Sequence, residues 1–374
     1  MKIGIDAKSF FTGPISTRKI LQNLIPELLN LYPDIHWVIF LDKKDKAFDF
    51  PKKGMNIHIQ YVWAENNQIS NLFVLPYYIK KHKLDLVVYQ MFPSITTSIP
   101  AIAFIHDILF KDFPKFFTWK ERLYFFPISY LTRRASRVIA TTEFVATDLL
   151  KHNYVADRSL IDIVPLGVSS EFKPAEHFDA ALLKSVAKKL NLPDRFMLFV
   201  GRLNVRKNLE NLLKSIPLVQ DKHIPLVVVG KAEWKAPELK NILSDPKIQH
   251  RVILIGNISD KDLPVVYALS TIFCFPSFAE GFGLPPLEAM ASGVPVVVSN
   301  TTSLPEVCGD AGVYTDPGDT NSIADAINSL LENPDFYTQK KQMSLARSGE
   351  FTWEKSAYAM MKSILNATKK NSPF

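Results

Sequence analysis

Three cations and two carboxylates in the second half of the chain have types and spacing that could do chemistry. Gly201 closes the apolar run FMLFVG (196–201), and Arg202, Arg206 and Lys207 follow at once within GRLNVRKN (201–208). The next stretch, LENLLKSI (209–216), reads as an amphipathic helix. Arg202 and Lys207, fixed at a strand end beside a helix N-terminus, would make a seat for a diphosphate. The competing reading is solvated charge at the start of a helix. A helix dipole disfavours cations there, so Arg202, Arg206 and Lys207 together call for an anion or another partner.

The carboxylates lie in PSFAEGFGLPPLEAMASGVPVVVS (276–299). A strand ends near Pro276, a loop carries Gly281 and Gly283, and a helix is expected from Pro285 or Pro286, since proline suits the first helical turn. Glycines in such a loop let backbone amides approach a ligand closely. Glu280 on the loop can accept hydrogen bonds from sugar hydroxyls, and Glu288 within the helix can reach a ribose. The alternative is one capping carboxylate and one on the helix surface.

These residues need strands to hold them. Short apolar runs alternate with longer amphipathic ones: KIGID (2–6), HWVIF (36–40), NIHIQYV (56–62), DLVVY (85–89), AIAFIH (101–106) and RVIATT (137–142). The pattern restarts with FMLFVG, PLVVVG (225–230), RVILIG (251–256), TIFCFP (271–276) and VPVVVS (294–299). Buried parallel strands alternating with helices imply an α/β fold, and two such sets imply two doubly wound, Rossmann-like domains. The break falls in VPLGVSSEFKPAEHFDA (164–180), which Pro165, Gly167 and Pro174 punctuate. The domains are therefore placed at 1–170 and 171–352, with a terminal helix over 353–370 returning to the first. In such sheets ligands sit beyond the C-terminal strand ends, so a cleft between two facing sets of ends is the expected site.

The 374 residues suit two domains, and with 47% apolar and 22% charged residues each has enough material for a core. Cys274 and Cys308 are too few to staple a chain of this size, and Asp6 and Lys8 interrupt the N-terminal apolar run. Both point to a reducing, cytoplasmic setting. No stretch reaches the length of a membrane span. A net charge of +7 suits anionic partners.

The run Glu280, Gly281, Phe282, Gly283, Leu284 through Glu288, followed by AMASGVPVV, resembles the donor-site motif of the retaining glycosyltransferases of family four, which have the GT-B architecture. The resemblance extends through SLPEVCGDAGVYTDPGD (303–319), GRLNVRKN, PLGVSSEFKP (165–174) and FTWEKSA (351–357). FIHDILF (104–110) and ATTEFVATDLL (140–150) resemble the mannosyltransferase-like branch. The likeness implies that Arg202 and Lys207 hold the donor diphosphate and Glu280 binds the transferred sugar. It also implies that the amides of Phe282, Gly283 and Leu284 contact sugar and phosphates, and that Glu288 binds ribose. Gly201 belongs to the phosphate-binding strand end. Gly230 and Gly256, Asn257 and Ile258 would line the base pocket, and His106 would face the sugar from the first domain.

The implied reaction is transfer of a hexosyl unit, mannose from GDP-mannose first, to a glycan or lipid-linked acceptor. The nucleotide sugar is a co-substrate; no cofactor and no metal are expected. A sugar-nucleotide 2-epimerase and a non-catalytic nucleotide-sugar binder are the alternatives. An NAD-dependent dehydrogenase fits poorly, because the first turn lacks G-x-G-x-x-G. That turn, FFTGPISTRK (10–19), departs from the family's glycine-rich one: only Gly13 is present, Pro14 removes an amide donor, and Ser16 or Thr17 is expected to cap the next helix. Asp260 and Asp262 form a D-x-D string, explained as helix-start residues. No zinc spacing and no nucleic-acid-binding stripe is present. The segment 111–137 mixes aromatics with Lys and Arg. It is expected to be a packed core helix with a solvated charged face, the alternative being peripheral contact with the inner face of a membrane.

Overall fold

The computed structural model describes residues 1–51, 56–96, 98–231 and 239–369. The chain divides into two compact units, one of Met1–Gly167 together with the segment from Thr352, the other of Val168–Phe351. The crossings thus fall at 167/168 and 351/352, where the sequence suggests 170/171 and 352/353. The physical reason is one backbone hydrogen bond: the Val168 N–H donates to the Phe351 carbonyl (3.1 Å), tying the first residue of the second unit to its last.

In the first unit seven parallel strands form one sheet: β1 (Lys2–Asp6), β2 (His36–Asp42), β3 (Ile57–Val62), β4 (Leu86–Gln90), β5 (Ala101–Ile105), β6 (Arg137–Ala140) and β7 (Ile161–Ile163), in the order 3-2-1-4-5-6-7. In the second, β8 (Met197–Val200), β9 (Leu226–Val229), β10 (Val252–Gly256), β11 (Ile272–Phe275), β12 (Val296–Ser299) and β13 (Gly312–Thr315) lie in the order 10-9-8-11-12-13, again all parallel. The central strands are buried along almost their whole length, which is why they read as unbroken apolar runs. The short edge strands β7 and β13 are interrupted by Asp162 and begun by Gly312, so no apolar run announces them.

Strand order reverses between β1 and β4 in one sheet and between β8 and β11 in the other. At such a point the connections leave in opposite directions and open a crevice beyond the strand ends. The chain after β8 carries Arg202, Arg206 and Lys207; the chain after β11 carries Glu280.

Helix Ile15–Leu31 buries Ile20, Leu21, Leu24, Ile25, Leu28 and Leu29, one stripe at helical spacing. Pro14 precedes it with φ −58°, and no side chain caps it. Ser16 and Thr17 therefore lie inside the first turn instead of capping it, because proline already supplies the φ of a helix start. The returning helix, Trp353–Lys369, packs on that helix, with Ser356 Oγ donating to the Pro165 carbonyl (2.6 Å); residue 370 lies outside the described residues.

The segment 111–137 is not a packed core helix. It is broken into Trp119–Phe125 and Ile128–Thr132 around Pro127, and the first of these buries none of its residues. Proline lacks the amide that would continue the first helix, so the aromatic side chains do not follow one buried stripe.

Candidate functional site

At the β8 end a 3₁₀ turn, Val205–Lys207, carries two of the cations. Asn204 accepts from the Lys207 amide (3.2 Å) and sets the turn, and Asn208 leaves it with φ 57°. The Asn208 carboxamide donates to the carbonyls of Pro276 (2.8 Å) and Pro317 (2.7 Å), fastening this turn to the loop after β11.

That fastening brings Lys207 and Glu280 together. Lys207 Nζ lies 2.7 Å from Glu280 Oε1, Arg206 NH1 lies 3.2 Å from Oε2, and Ser277 Oγ donates to Oε1 at 2.5 Å. Lys207 Nζ also sits 4.8 Å from the centroid of the Phe275 ring. Lys207 and Glu280 are 9% and 7% exposed, so neither charge is solvated enough to stand alone. Burial alone would raise the Glu280 carboxyl; the charges of Lys207 and Arg206, with the hydrogen bonds from Lys207 and Ser277, outweigh it and hold the group at about 2. Arg202, one turn earlier, is exposed and lies immediately past β8.

Arg206, which the sequence counts among the cations without giving it a role, touches Glu280 and donates to the Ala279 carbonyl (2.5 Å). Its sequence signal was the surplus of cations at a helix start. The hydroxyls of TTS (301–303), just past β12, carry no such signal. Thr301 Oγ1 donates to the Phe278 carbonyl (3.2 Å), Thr302 Oγ1 accepts from the Glu280 amide (3.0 Å), and Ser303 Oγ lies 2.8 Å from the carbonyl oxygens of both Glu280 and Phe282, which share its one proton. These bonds fix the loop that carries the carboxylate.

Helix Leu284–Ala291 starts one residue before Pro285, with Gly283 at φ 117° preceding it. A Cβ on Gly283 would meet Leu304 Cδ2 at 2.8 Å, so the turn accepts only glycine without rearrangement. First-turn amides have no intrahelical acceptor, and Pro285 and Pro286 have no amide at all. Leu284 is thus the donor at this helix start, next to the loop amides of Phe282 and Gly283. Glu288 is 4% exposed on the same helix. The Tyr267 phenol is held well above its ordinary range by burial and by the nearby Glu288 charge.

Gly201, Gly230 and Gly256 form a row across three strand ends. The Gly201 amide donates to Val229 (3.0 Å) and the Gly230 amide to Gly256 (2.9 Å). A Cβ on Gly230, at φ 145°, would lie 1.9 Å from the Gly201 carbonyl oxygen. Gly256 has open space at the same point, with exposed Asn257 and half-buried Ile258 after it.

His106 follows β5 in the first unit. Its Nε2 is 3.1 Å from Gln90 Oε1, its Nδ1 is buried without a partner, and burial lowers the imidazole to about 4. It is a neutral ring at ordinary pH. Asp262 does not cap the helix Leu263–Leu269; its carboxylate accepts from Lys189 Nζ and Ser259 Oγ, both at 2.7 Å, and these lower its pKa. Among the described residues no group of three or more His, Cys, Asp or Glu is arranged to hold a metal ion.

Two family models match the chain, "Glycosyltransferase Family 4" over residues 22–172 and "Glycosyl transferases group 1" over 184–349. The O-antigen chain mannosyltransferase B of Escherichia coli is 33% identical over 260 residues, covering 68% of this chain and 67% of that protein. The chain belongs to glycosyltransferase family 4. The serotype-specific mannosyltransferase WbdA of Escherichia coli is 32% identical over 60% of this glycosyltransferase, which spans 28% of its length. In fold, Anabaena Alr3699/HepE, solved in complex with UDP and glucose, matches with a TM-score of 0.73 at 18% identity, over 98% of this chain and 99% of that one. The two-sheet α/β architecture of this glycosyltransferase is the GT-B fold.

Proposed function

We propose that this glycosyltransferase moves a hexosyl unit, mannose first, from a nucleoside diphosphate sugar to a glycan or lipid-linked acceptor in polysaccharide synthesis, with retention at the anomeric carbon. The observation that carries the reading is the buried cluster of Lys207, Arg206 and Glu280 beside the β8/β11 reversal. The mannosyltransferase names of the relatives favour GDP-mannose as donor.

In this reading the second unit is the donor domain and the first the acceptor domain. Lys207 and Arg202 neutralise charge that grows on the diphosphate as the glycosidic bond breaks. Glu280 orients the sugar, the amides of Phe282, Gly283 and Leu284 contact sugar and phosphates, and Glu288 holds ribose hydroxyls. Gly201 belongs to the phosphate-binding strand end, and Gly230 and Gly256 with Asn257 and Ile258 line the base. Both Glu280 oxygens are engaged by cations, which makes this carboxylate a poor nucleophile. A same-face substitution is favoured instead: the C1–O bond to phosphate breaks, the acceptor oxygen bonds to C1 on the same face, and its proton passes to the departing phosphate.

A thermal-shift screen of GDP- and UDP-sugars tests the donor, since a ligand at 100 times its dissociation constant adds about 2.7 kcal/mol. Transfer with the best donor in excess EDTA tests the metal-free reading. Sugar-nucleotide conversion without any acceptor would favour the epimerase, and activity that EDTA abolishes and Mn²⁺ restores would overturn the metal-free mechanism.

A further inference from the structure

Eight of the large apolar side chains that remain exposed lie in two stretches of the first unit. Ile69, Phe73 and Tyr77 are 45%, 70% and 63% exposed; Trp119, Leu123 and Phe126 are 63%, 64% and 68% exposed, with Tyr124 and Tyr130 beside them. The two stretches are neighbours. Leu72 from one and Phe117 and Phe125 from the other pack on the same core cluster, and the Gln68 carboxamide donates to the Tyr124 carbonyl. The sequence singled out only the second stretch, because the first has no basic residue until Lys80.

The charge around this face has one sign. Residues 66–83 and 111–137 hold ten Lys and Arg against two acids; nine of the ten are exposed, and Arg137 is buried in a pair with Asp162. Both acids are engaged: Asp112 with Lys151 (2.8 Å) and His152 (3.0 Å), Glu121 in a capping box with Thr118. Lys80, Lys81, Lys115, Lys120 and Arg122 are all exposed.

We infer that this face docks on the surface of an anionic lipid bilayer, with Phe73, Trp119, Leu123 and Phe126 entering the headgroup boundary and the surrounding cations meeting lipid phosphates. Trp and Tyr with Phe and Leu on one face, and Lys and Arg around them, are the composition of an interfacial element. No helix among the described residues is long and apolar enough to cross a membrane, so the fit is to the surface. A second copy of the chain would bring two like-charged faces together, which disfavours self-association here. The inference does not depend on which sugar is transferred, because it uses no residue of the second unit.

Flotation of the full chain with phosphatidylglycerol/phosphatidylcholine vesicles, and with phosphatidylcholine alone, tests it. The chain should float with anionic vesicles at low salt and be released at high salt, since surface attraction is screened. Phe73→Ser with Tyr77→Ser, and separately Trp119→Ser with Phe126→Ser, should each weaken attachment about tenfold or more, with far-UV circular dichroism and cooperative thermal melting of the full chain unchanged as proof of folding. Lys120→Glu with Arg122→Glu should remove the preference for anionic lipid. Absence of flotation at low salt, undiminished flotation of both serine variants, or a dimer in sedimentation velocity that the serine variants dissolve would overturn the inference.

Discussion

Lys207 Nζ and Glu280 Oε1 lie 2.7 Å apart in a buried ion pair, and Arg206 completes the neutralisation of the carboxylate. A cation proposed for the phosphate and an anion proposed for the sugar are thus coupled before any donor arrives. On the proposed roles, a diphosphate would compete with Glu280 for Lys207. Taking the two as independent predicts that nucleoside diphosphate affinity is untouched when Glu280 is removed; the ion pair predicts that it rises. In turnover, Lys207→Ala should lower kcat by about 10²–10³, the usual cost of removing one preorganised donor to developing charge.

Arg206→Ala should act by misplacing the loop. Its guanidinium holds the Ala279 carbonyl and the Glu280 carboxylate, and alanine removes both contacts. Hydrogen bonds to charged groups contribute about 1.5–3 kcal/mol, so thermal melting should fall accordingly, and kcat should fall more than KM rises. Arg206→Lys should recover part of both. Unchanged melting and kcat in Arg206→Ala would remove the positioning role.

The pH behaviour of His106 follows from its burial. Its folded pKa of about 4 lies below the ordinary value of 6.5, so the native state favours the neutral ring. The associated stability is present above the unfolded pKa and is lost as pH falls toward the folded one, on the order of 3 kcal/mol in all. Urea unfolding of wild type and His106→Asn at about pH 7 and about pH 4.5 reads this difference, and the variant should lose less stability on acidification. Equal losses would contradict it. Transfer should show no inflection from His106 between about pH 5 and 8, where the ring stays neutral.

Gly230 and Gly256 occupy equivalent strand ends and should respond unequally to alanine. At Gly230 the new Cβ would sit 1.9 Å from the Gly201 carbonyl oxygen, whereas at Gly256 it would meet nothing within 4 Å. Gly256→Ala should cost about 1 kcal/mol, from its φ of 68° alone, and Gly230→Ala several times that, up to failure to fold. Comparable melting temperatures for the two variants would refute the close approach.

The central strands and the two cation-bearing and carboxylate-bearing loops were legible because buried parallel strands leave unbroken apolar runs and the loops begin where those runs stop. Arg206 was legible as surplus charge and not as a contact, since its partner Glu280 is 74 positions away. The hydroxyls of 301–303 were invisible for the same reason: serine and threonine after a strand look like any turn. In segment 111–137 composition was ambiguous between packed and exposed aromatics, and only the break at Pro127 decided it. Ser16 and Thr17 are cap-forming types, but they stand two and three residues past Pro14, inside the first turn, where they cannot cap it.

In the proposed mechanism Lys207 binds the donor diphosphate, and Glu280 balances the lysine's charge in the free protein. Calorimetric titration of GDP into wild type, Lys207→Ala and Glu280→Gln tests it most directly. Lys207→Ala should bind GDP about 10–100 times more weakly, the value of a charge-assisted hydrogen bond, and Glu280→Gln should bind it more tightly than wild type. Undiminished GDP binding by Lys207→Ala, or GDP binding by Glu280→Gln that is no tighter than wild type, would overturn these roles.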